Sequence, residues 1–437
     1  MLQINKYIKN PLLQKIAVYA FSDGISKALP FLLFPVIAYY LTKEEFGLVT
    51  NYNVLISVIG PFIGMSATSY LAVEYYNKDS DPKSVYQNLL YLNLVLFILV
   101  SAVIFLFYPY FEKWSGLNIK WITLAIAGAI FAAVIDLFFT KIRMDENAKL
   151  FGIVNVLNSA LGASLTVLFV ILLKWGWEGR IYSLFIASGI AGLISLYYSI
   201  KYIKHFKKPD AAMLKSILVF GLPLLPHQLA VWIKTGFEKF FITASLGLGQ
   251  NGVYSFAITI CAIFVMVSNA FFSAFSPYVY KTLSEIKEES NEYQVKLNIV
   301  KKSYAFLIVY LIVLIIGGLA STLLVNYYFK AKYGESIIYL PFLLGFNFFN
   351  SCYIVLSMFV YYSKSTKFLS LITLSTSMLQ VLLMMLLVNI MGALGAALSA
   401  FLVSIVTMII IYIYSNKVYK MPWFNFNDML NNKSISI

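Results

Sequence analysis

Residues 393–414 read A-L-G-A-A-L-S-A-F-L-V-S-I-V-T-M-I-I-I-Y-I-Y and contain no charged side chain. An α-helix rises 1.5 Å per residue, so this stretch would be about 33 Å long and would match the ~30 Å hydrocarbon layer of a bilayer. Its polar residues are limited to serine, threonine and tyrosine, so no helical face is suited to water. The stretch therefore predicts a transmembrane helix.

Eleven further apolar stretches of similar length fill the chain. With the first, they predict spans at residues 16–41, 46–72, 86–110, 121–140, 151–173, 181–200, 217–243, 253–274, 304–328, 337–361, 368–390 and 393–414. Alternation of apolar and polar residues with a period of two is absent, and lipid does not tolerate unpaired backbone groups, so the spans are predicted to be helices rather than strands.

The overall composition agrees with this interpretation. Apolar residues make up 60% of the 437 positions and charged residues only 12%, against a soluble norm of about 25% charged. The net charge of +14 comes from basic residues between the apolar runs rather than from one patch. Such a pattern sets orientation in a membrane, so we expect membrane lipids as partners and no nucleic acid.

The loops predict the orientation of the chain. With the N-terminus in the cytoplasm, the inner segments carry 23 lysine and arginine residues, the outer loops carry 7, and three lysines lie within spans. This asymmetry follows the positive-inside rule through every loop. We therefore predict a multi-pass protein of the cytoplasmic (inner) membrane with both termini in the cytoplasm. The first apolar run is too long for a cleavable signal peptide.

The longest connections divide the chain. A lysine-rich segment separates the first six spans from the second six, so we predict an N-terminal six-helix bundle (1–203), a cytoplasmic linker (204–214), a C-terminal six-helix bundle (215–415) and a cytoplasmic tail (416–437). The fold class is then all-α: about twelve transmembrane helices in two six-helix bundles around a central cavity. The charged stretch from Tyr280 to Lys302 is expected to form a separate amphipathic helix on the inner face.

A weak internal repeat supports the division into six plus six. L-T-K-E-E-F-G at residue 41 is echoed 205 residues later by L-G-L-G-Q-N-G, which places Gly47 opposite Gly252, and G-W-E-G at 176 is echoed by G-A-L-G at 392. Glycine is common in membrane hairpins, which explains the echoes nearly as well. A true repeat would relate the halves by an axis along the membrane normal.

Ionisable residues within the spans are candidates for function, because each costs about 2.5–3.5 kcal/mol at mid-span. Asp23 and Lys27 are four residues apart on one face of the first helix. At 100° per residue, His227, Lys234 and Glu238 form one polar stripe along the seventh. We predict that all five line a water-filled cavity between the bundles. An ion pair that only joins helices is the alternative for Asp23 and Lys27.

Helix breakers mark the same two helices. Pro30 and Pro35 are expected to interrupt the first span, and Gly221, Pro223 and Pro226 to interrupt the seventh. We predict that Pro30, Pro223 and Pro226 act as conformational hinges, although proline is also frequent in transmembrane helices generally.

No known catalytic or metal-binding motif is recognisable. The chain lacks a phosphate-binding glycine loop, H-E-x-x-H and G-x-S-x-G. It has two histidines and two cysteines, and Cys261 and Cys352 lie in apolar runs. We therefore expect no catalytic residue, no metal and no cofactor. Asp136, near the end of the fourth span, is expected to be a solvated charge without a role.

Several segments together resemble one exporter family. They are F-G-L-P-L-L-P-H-Q-L-A-V-W-I (220–233), E-K-F-F-I (238–242), G-V-Y-S (252–255), S-D-G-I-S-K (22–27), E-F-G (45–47) and G-W-E-G-R (176–180). The chain resembles the polysaccharide-transport branch of the multidrug/oligosaccharidyl-lipid/polysaccharide exporter superfamily, the Wzx-type O-antigen and capsule flippases. That family often has aspartate where Glu238 stands.

This resemblance implies alternating-access transport of an undecaprenyl-pyrophosphate-linked oligosaccharide, an O-antigen or capsule repeat unit, from the inner to the outer leaflet. Lys27 and Lys234 would be counter-charges for the phosphates. Polymerase and chain-length proteins of the same pathway would be further candidate partners.

Two other functions remain open from the residues. A multidrug or cation antiporter of the sister branch would have the same architecture, but its cavity would favour acidic residues over two lysines. A polytopic O-antigen polymerase or ligase usually has a large outer loop with catalytic arginines, and this chain has short outer loops and only Arg143 and Arg180.

Overall fold

The computed structural model describes residues 11–286, 289–363, 365–425 and 428. Within these ranges it leaves out the side chains of 11–13, 16, 227, 231, 289–291, 366 and 367. The chain forms two compact units, Met1–Gly252 and Val253–Ile437.

The first unit contains most of the helices that concern function. They are α1 (Pro11–Tyr40), α2 (Lys43–Gly64), α3 (Ala67–Glu74), α4 (Pro82–Leu106), α5 (Tyr108–Ser115), α6 (Ile119–Met144), α7 (Ala148–Thr166), α8 (Gly176–Ile203), α9 (Ala211–Gly221), α10 (Leu225–Trp232) and α11 (Glu238–Leu246). A π-helical segment, Val167–Leu172, extends α7. A 3₁₀ segment, Leu222–Leu224, and a π segment, Ile233–Phe237, link α9, α10 and α11 into one interrupted span.

The remaining helices are longer and more regular. They are α12 (Leu248–Ser284), which begins in the first unit, α13 (Glu289–Leu324), α14 (Lys330–Tyr333), α15 (Ser336–Tyr362), α16 (Thr366–Met391) and α17 (Ala393–Val418). A π segment, Val325–Phe329, precedes α14. In the described residues, twelve helices are long and apolar enough to cross a membrane, and no strand is assigned. The predicted all-α, polytopic membrane fold is confirmed.

Helix starts follow from local capping chemistry. Thr42 and Glu45 form a reciprocal capping box at the start of α2. The Asp81 carboxylate accepts from the Lys83 amide at the start of α4, and Asp210 caps α9 in the same way. Short polar segments between apolar runs therefore stop one helix and begin the next.

The segment from Tyr280 to Lys302 differs from its prediction. Residues up to Ser284 continue α12, and residues from Glu289 belong to α13, so the described part contains no separate surface helix. At 37 and 36 residues these helices are each about 55 Å long, well beyond the ~30 Å hydrocarbon layer. Buried Leu283 of α12 and Ile299 of α13 belong to one apolar core of the second unit, so the ends of the two helices nearest the Tyr280–Lys302 segment are packed in the protein.

Segments predicted to share the inner face do lie together in the first unit. Three contacts join them: Lys15 Nζ to Glu146 Oε2 at 2.7 Å, the Tyr75 hydroxyl to the Asp145 carboxylate, and Gln87 Nε2 to the Lys207 carbonyl oxygen at 2.6 Å. The hydrogen bond from Lys15 lowers the pKa of Glu146. These contacts bring predicted inner segments of this unit together, and the orientation of the chain stays a prediction.

The paired glycines of the repeat sit where α2 and α12 begin. A Cβ atom on Gly47 would lie 2.5 Å from the Leu248 carbonyl oxygen, and one on Gly252 would lie 1.7 Å from that of Lys43. The glycines at 176 and 392 both have φ near +60°, and each stands at the start of a long helix. Equivalent glycines therefore have equivalent structural roles.

Buried amides connect the end of the interrupted span to the rest of the first unit. Asn51 Nδ2 donates to the Ser115 carbonyl oxygen at 2.7 Å and to Thr243 Oγ1 at 2.8 Å. Its Oδ1 accepts from Asn251 Nδ2 at 2.9 Å. This network holds α2, α5, α11 and α12 together and contributes to the grouping of α9–α11 with the first unit. The division between the units lies after Gly252 rather than in the segment 204–214; two six-helix bundles with those bounds stay a prediction.

Candidate substrate site in the first unit

The charges predicted on the first helix are separated in the structure. Asp23 Oδ1 accepts from Asn155 Nδ2 of α7 at 2.9 Å. Lys27 is exposed on α1, and among the described residues no ion pair joins it to Asp23. A close approach at Gly152, where a Cβ would lie 2.6 Å from Ser22 Oγ, brings α1 and α7 near enough for the Asp23 contact. Asp23 thus joins two helices, and Lys27 is exposed.

The prolines of α1 do not interrupt it. The helix is continuous from Pro11 to Tyr40 with Pro30 and Pro35 inside it, so the expected interruption is wrong. Each proline removes one backbone hydrogen bond, but a transmembrane helix can tolerate this loss when neighbours and local adjustments compensate for it. Pro30 lies on the wall of a cavity described below.

The seventh span is interrupted, as expected. Pro223 lies in the 3₁₀ segment, and Pro226 occupies the first turn of α10, where a missing N–H costs no helical hydrogen bond. Gly221 is the last residue of α9, and only glycine allows the close approach there, since a Cβ would lie 2.3 Å from the Met65 carbonyl oxygen. This span therefore consists of five short helical pieces.

The polar stripe of the seventh span is altered by its π segment. Lys234 is partly buried within that segment, and Glu238, only 5% exposed, begins α11. A π turn uses i→i+5 hydrogen bonds, so the 100° spacing used for the prediction does not hold between these residues. The side chain of His227 lies outside the described residues. Lys234 and Glu238 both make contacts with neighbouring groups.

A second interrupted helix meets the first break of the seventh span. Between α2 and α3, Met65 and Ser66 adopt left-handed φ values of 39° and 57°. Gln228 Nε2 of α10 donates to Ser66 Oγ at 2.8 Å. Together with the close approach of Gly221 to Met65, this contact joins two helix breaks into one junction.

Two adjoining cavities lie inside the first unit, with Ile56 and Ala132 in the walls of both. The Asp136 cavity, of about 360 Å³, is lined by polar groups of the helix-break junction: Ser57, Ser66, Thr68, Asn93, Asp136 and Gln228. The lining of the Arg180 cavity, of about 260 Å³, includes the polar residues Tyr52, Asn53, Asn158, Ser159, Arg180 and Ser188. Neither wall contains Lys27 or Lys234.

Three residues of these sites were missed from sequence. Asn155 is one of many polar residues in spans, and spacing along one helix cannot identify a partner on another. Asp136 is exposed, as a solvated charge would be, but its position two turns inside α6 on the wall of a cavity is not expected from the sequence. Arg180 follows G-W-E-G, so the predicted bounds place it in the connection between the fifth and sixth spans. A signal is present for Asp136, since an ionisable residue inside a predicted span merits a functional hypothesis, whereas Arg180 lies just outside the predicted span 181–200.

The architecture defines a multi-pass membrane protein with a transporter fold. It aligns with a multidrug resistance MATE family transporter of the MOP superfamily in its inward-facing conformation, over 94% of this chain and 99% of that one, at TM-score 0.66 and 16% identity. With an outward-facing conformation of such a transporter the TM-score is 0.61, at 16% identity and 96% coverage of both chains. At these identities the likeness concerns the fold.

The sequence then identifies the family. The pattern of the polysaccharide biosynthesis protein family matches residues 12–283, more than half of the chain. The chain therefore belongs to that family, as the resemblance predicted. It is also 22% identical to a Haemophilus influenzae protein named for the Lsg locus over 284 residues, which span 62% of this chain and 66% of that relative. Family and fold point to transport rather than catalysis.

Among the described residues, no group of three or more histidine, cysteine, aspartate or glutamate side chains is placed to hold a metal ion.

Proposed function

We propose that this protein is a flippase. It moves an undecaprenyl-pyrophosphate-linked oligosaccharide, an O-antigen or capsule repeat unit, from the inner to the outer leaflet of the cytoplasmic membrane by alternating access. The observation that carries the proposal is that a polysaccharide biosynthesis chain has a transporter fold. The lipid tail stays in the bilayer, while the sugar and the pyrophosphate need a polar path.

Lys27 is the cation best suited to the pyrophosphate. It lies 16 residues after the start of α1 and 13 before its end, close to the middle of the span, and its side chain is exposed. An ammonium facing lipid at that depth would cost several kcal/mol, so a water-filled path or an anionic ligand is the favourable environment. Lysine acts there as a point charge for phosphate.

Lys234 and Glu238 serve the same path from the seventh span. The π segment displaces Lys234 from the regular helical register, and π turns are frequent at functional sites. Glu238 and His227 can exchange protons, so they couple release of the substrate to a proton gradient. The breaks at Pro223 and Pro226 let the seventh span bend between the inward-open and outward-open states. Pro30 lets α1 bend by a smaller amount.

The chain is oriented with both termini in the cytoplasm, on the strength of the 23-to-7 distribution of basic residues. Cysteine labelling tests this directly. Single cysteines at Lys204 and Lys420 should be protected from a membrane-impermeant reagent in intact cells, and those at Lys113, Trp177 and Lys332 should react. Reaction at Lys420 would contradict an even number of spans.

Transport is tested in a strain that lacks the native gene. We expect lipid-linked oligosaccharide to accumulate on the cytoplasmic leaflet and surface polysaccharide to disappear, with both reversed by the cloned gene. Polymerase and chain-length proteins of the pathway are the proposed partners, so their genes stay in place. Altered drug susceptibility with normal polysaccharide would support a multidrug antiporter instead. Single repeat units that reach the outer leaflet without being polymerised would indicate a polymerase or ligase.

A further inference from the structure

A groove on the surface of the first unit lies between the end of α3 and the start of α9. It has a volume of about 540 Å³ and is lined by Tyr70, Glu74, Lys215, Ser216, Val219 and Phe220. Both helices belong to the first unit. None of these six residues lines the Arg180 cavity or the Asp136 cavity. The groove is therefore separate from the sites described above.

The groove is charged at one end and aromatic at the other. Glu74 is the last residue of α3, and Lys215 is the fifth residue of α9. At 1.5 Å per residue, Tyr70 lies about 6 Å from Glu74 along α3, and Phe220 lies about 7.5 Å beyond Lys215 along α9. The rings of Tyr70 and Phe220 pack edge to face with their centroids 5.4 Å apart. An acid and a base thus lie near the connecting segments, and two rings lie further into the seventh span.

The floor of the groove is packed protein. Leu71 of α3 and Ile217 of α9 are buried in one apolar core. On the wall of the groove, the Val219 side chain is 64% exposed. An exposed apolar side chain on a membrane-spanning helix is suited to contact with a hydrocarbon chain. The groove therefore has a fixed shape and a place for the apolar part of a ligand.

Both charges of the groove can accept a ligand. Among the described residues, no ion pair involves Glu74 or Lys215. Glu74 Oε2 accepts from Asn77 Nδ2 at 3.0 Å, which leaves further acceptor capacity on the carboxylate, and the Lys215 side chain is exposed. A purely anionic ligand would be attracted by Lys215 but repelled by Glu74. A ligand with one negative and one positive group matches both residues.

We propose that this groove binds a zwitterionic phospholipid whose headgroup contains a primary ammonium, as in phosphatidylethanolamine. The lipid phosphate accepts from the Lys215 ammonium, and the headgroup ammonium donates to the Glu74 carboxylate. One acyl chain packs against Val219 and the Tyr70 and Phe220 rings. A volume of about 540 Å³ lies within the 300–1,000 Å³ typical of small-ligand sites. The inference concerns a bound membrane lipid and does not depend on which molecule is transported.

The test is lipid binding to the purified full-length protein, measured by native mass spectrometry in detergent. Phosphatidylethanolamine, phosphatidylcholine and phosphatidylglycerol with identical acyl chains are titrated separately. The quaternary ammonium of phosphatidylcholine cannot donate a hydrogen bond to Glu74, and phosphatidylglycerol has no cation. We expect phosphatidylethanolamine to bind about tenfold more tightly than either. Equal binding of all three lipids, or tightest binding of phosphatidylglycerol, would overturn the proposal.

Charge variants locate the lipid. Glu74→Gln keeps an acceptor oxygen but removes the negative charge, so the preference for phosphatidylethanolamine should disappear. Lys215→Gln should weaken binding of all three lipids, because each has a phosphate. Asp79→Asn and Lys208→Gln are the matched controls: both side chains are exposed, neither lines the groove, and both variants should keep the preference. An unchanged preference in Glu74→Gln would show that the groove does not select the headgroup.

A third variant tests the groove without altering its charges. Val219→Trp fills the groove with a larger apolar side chain at an exposed position, so we expect a single species on size exclusion and loss of phosphatidylethanolamine binding. Full phosphatidylethanolamine affinity in this variant would place the lipid elsewhere. Undecaprenyl pyrophosphate is titrated in parallel. If it binds the wild type more tightly than phosphatidylethanolamine does and Val219→Trp abolishes that binding, the groove belongs to the transported lipid and the proposal is overturned.

Discussion

The first and seventh spans contain similar sequence features but fold differently. Both have two prolines, and each has an acid and a lysine four residues apart. Yet α1 is continuous through Pro30 and Pro35, whereas the seventh span changes from α to 3₁₀, α, π and α again. The difference lies in the neighbours: Gly221 approaches the Met65 carbonyl oxygen, and Gln228 bonds to Ser66. Proline permits a break, and tertiary contacts decide whether one forms.

The charges of the two spans differ in the same way. Lys27 is exposed without an ion pair to Asp23, while Lys234 is partly buried in a π segment and makes contacts there. Lys27 therefore lies on a continuous helix, α1, whereas Lys234 lies at an irregular segment of the seventh span. Substitutions in matched pairs can test whether this contrast matters for transport.

The largest effect is expected at Lys27. Lys27→Ala should reduce surface polysaccharide about 10- to 100-fold in a strain lacking the native gene, because a charge-assisted contact to phosphate is lost. Lys27→Arg keeps the charge and should retain part of the activity. Lys234→Ala should likewise reduce surface polysaccharide more than Lys234→Arg does. Lys234→Ala should also lower the protein level somewhat, because the Lys234 side chain is partly buried. Quantitative blotting supplies the protein levels.

Normal polysaccharide in Lys27→Ala would exclude a role for this charge in holding the headgroup.

A large effect on stability is expected at the helix-break junction. Gly221→Ala places a Cβ 2.3 Å from a backbone oxygen, so α9 or Met65 must move, at a cost of about 1–3 kcal/mol. The matched control is Gly24→Ala on α1, where nothing lies within 4 Å of the added Cβ, and the gain is about 0.5–1 kcal/mol. Heating followed by size exclusion should show opposite shifts in Tm.

If both variants shift Tm in the same direction, the junction does not distinguish the two spans.

Most of the fold could be predicted from the sequence. The features that could not be predicted depend on contacts between helices far apart in the chain. The sequence predicts the last span at 393–414, and α17 covers Ala393–Val418. This agreement is expected because a membrane span needs only a long apolar helix with its backbone hydrogen bonds satisfied. The left-handed residues Met65 and Ser66 were not predicted, since they depend on a contact 162 residues away. Asp23 was paired with Lys27 by spacing, although its observed partner Asn155 lies on α7.

A moderate effect on transport is expected at the prolines. Pro223→Ala supplies a backbone N–H and lets α9 and α10 join into one helix, so transport should fall severalfold while expression changes little. Pro30→Ala should slow transport less, because α1 is already continuous. Rates of oligosaccharide appearance at the surface, normalised to protein level, give the comparison. Parallel losses of rate and expression would show that both prolines serve folding alone.

The smallest effect is expected for Asp23→Asn, at the contact between Asp23 and Asn155. Asp23→Asn removes the negative charge but keeps a side-chain oxygen to accept from Asn155, so stability should change by less than about 1 kcal/mol. Asn155→Ala removes the donor and should cost about 1.5–3 kcal/mol. If Asp23 only joins α1 to α7, the stability changes of these two variants should not be additive, which a double-mutant cycle in Tm measures.

The same residue decides between the two interpretations of the first span. If Lys27 holds the pyrophosphate and Asp23 holds Asn155, then Asp23→Asn combined with Lys27→Ala should transport no better than Lys27→Ala alone. If the two side chains instead neutralise each other during the transport cycle, removing both charges should restore transport. Full surface polysaccharide in the double variant would make the pair a helix-joining contact and refute the role of Lys27 in binding substrate. The structure favours the first outcome, because the Asp23 carboxylate already has its partner on another helix.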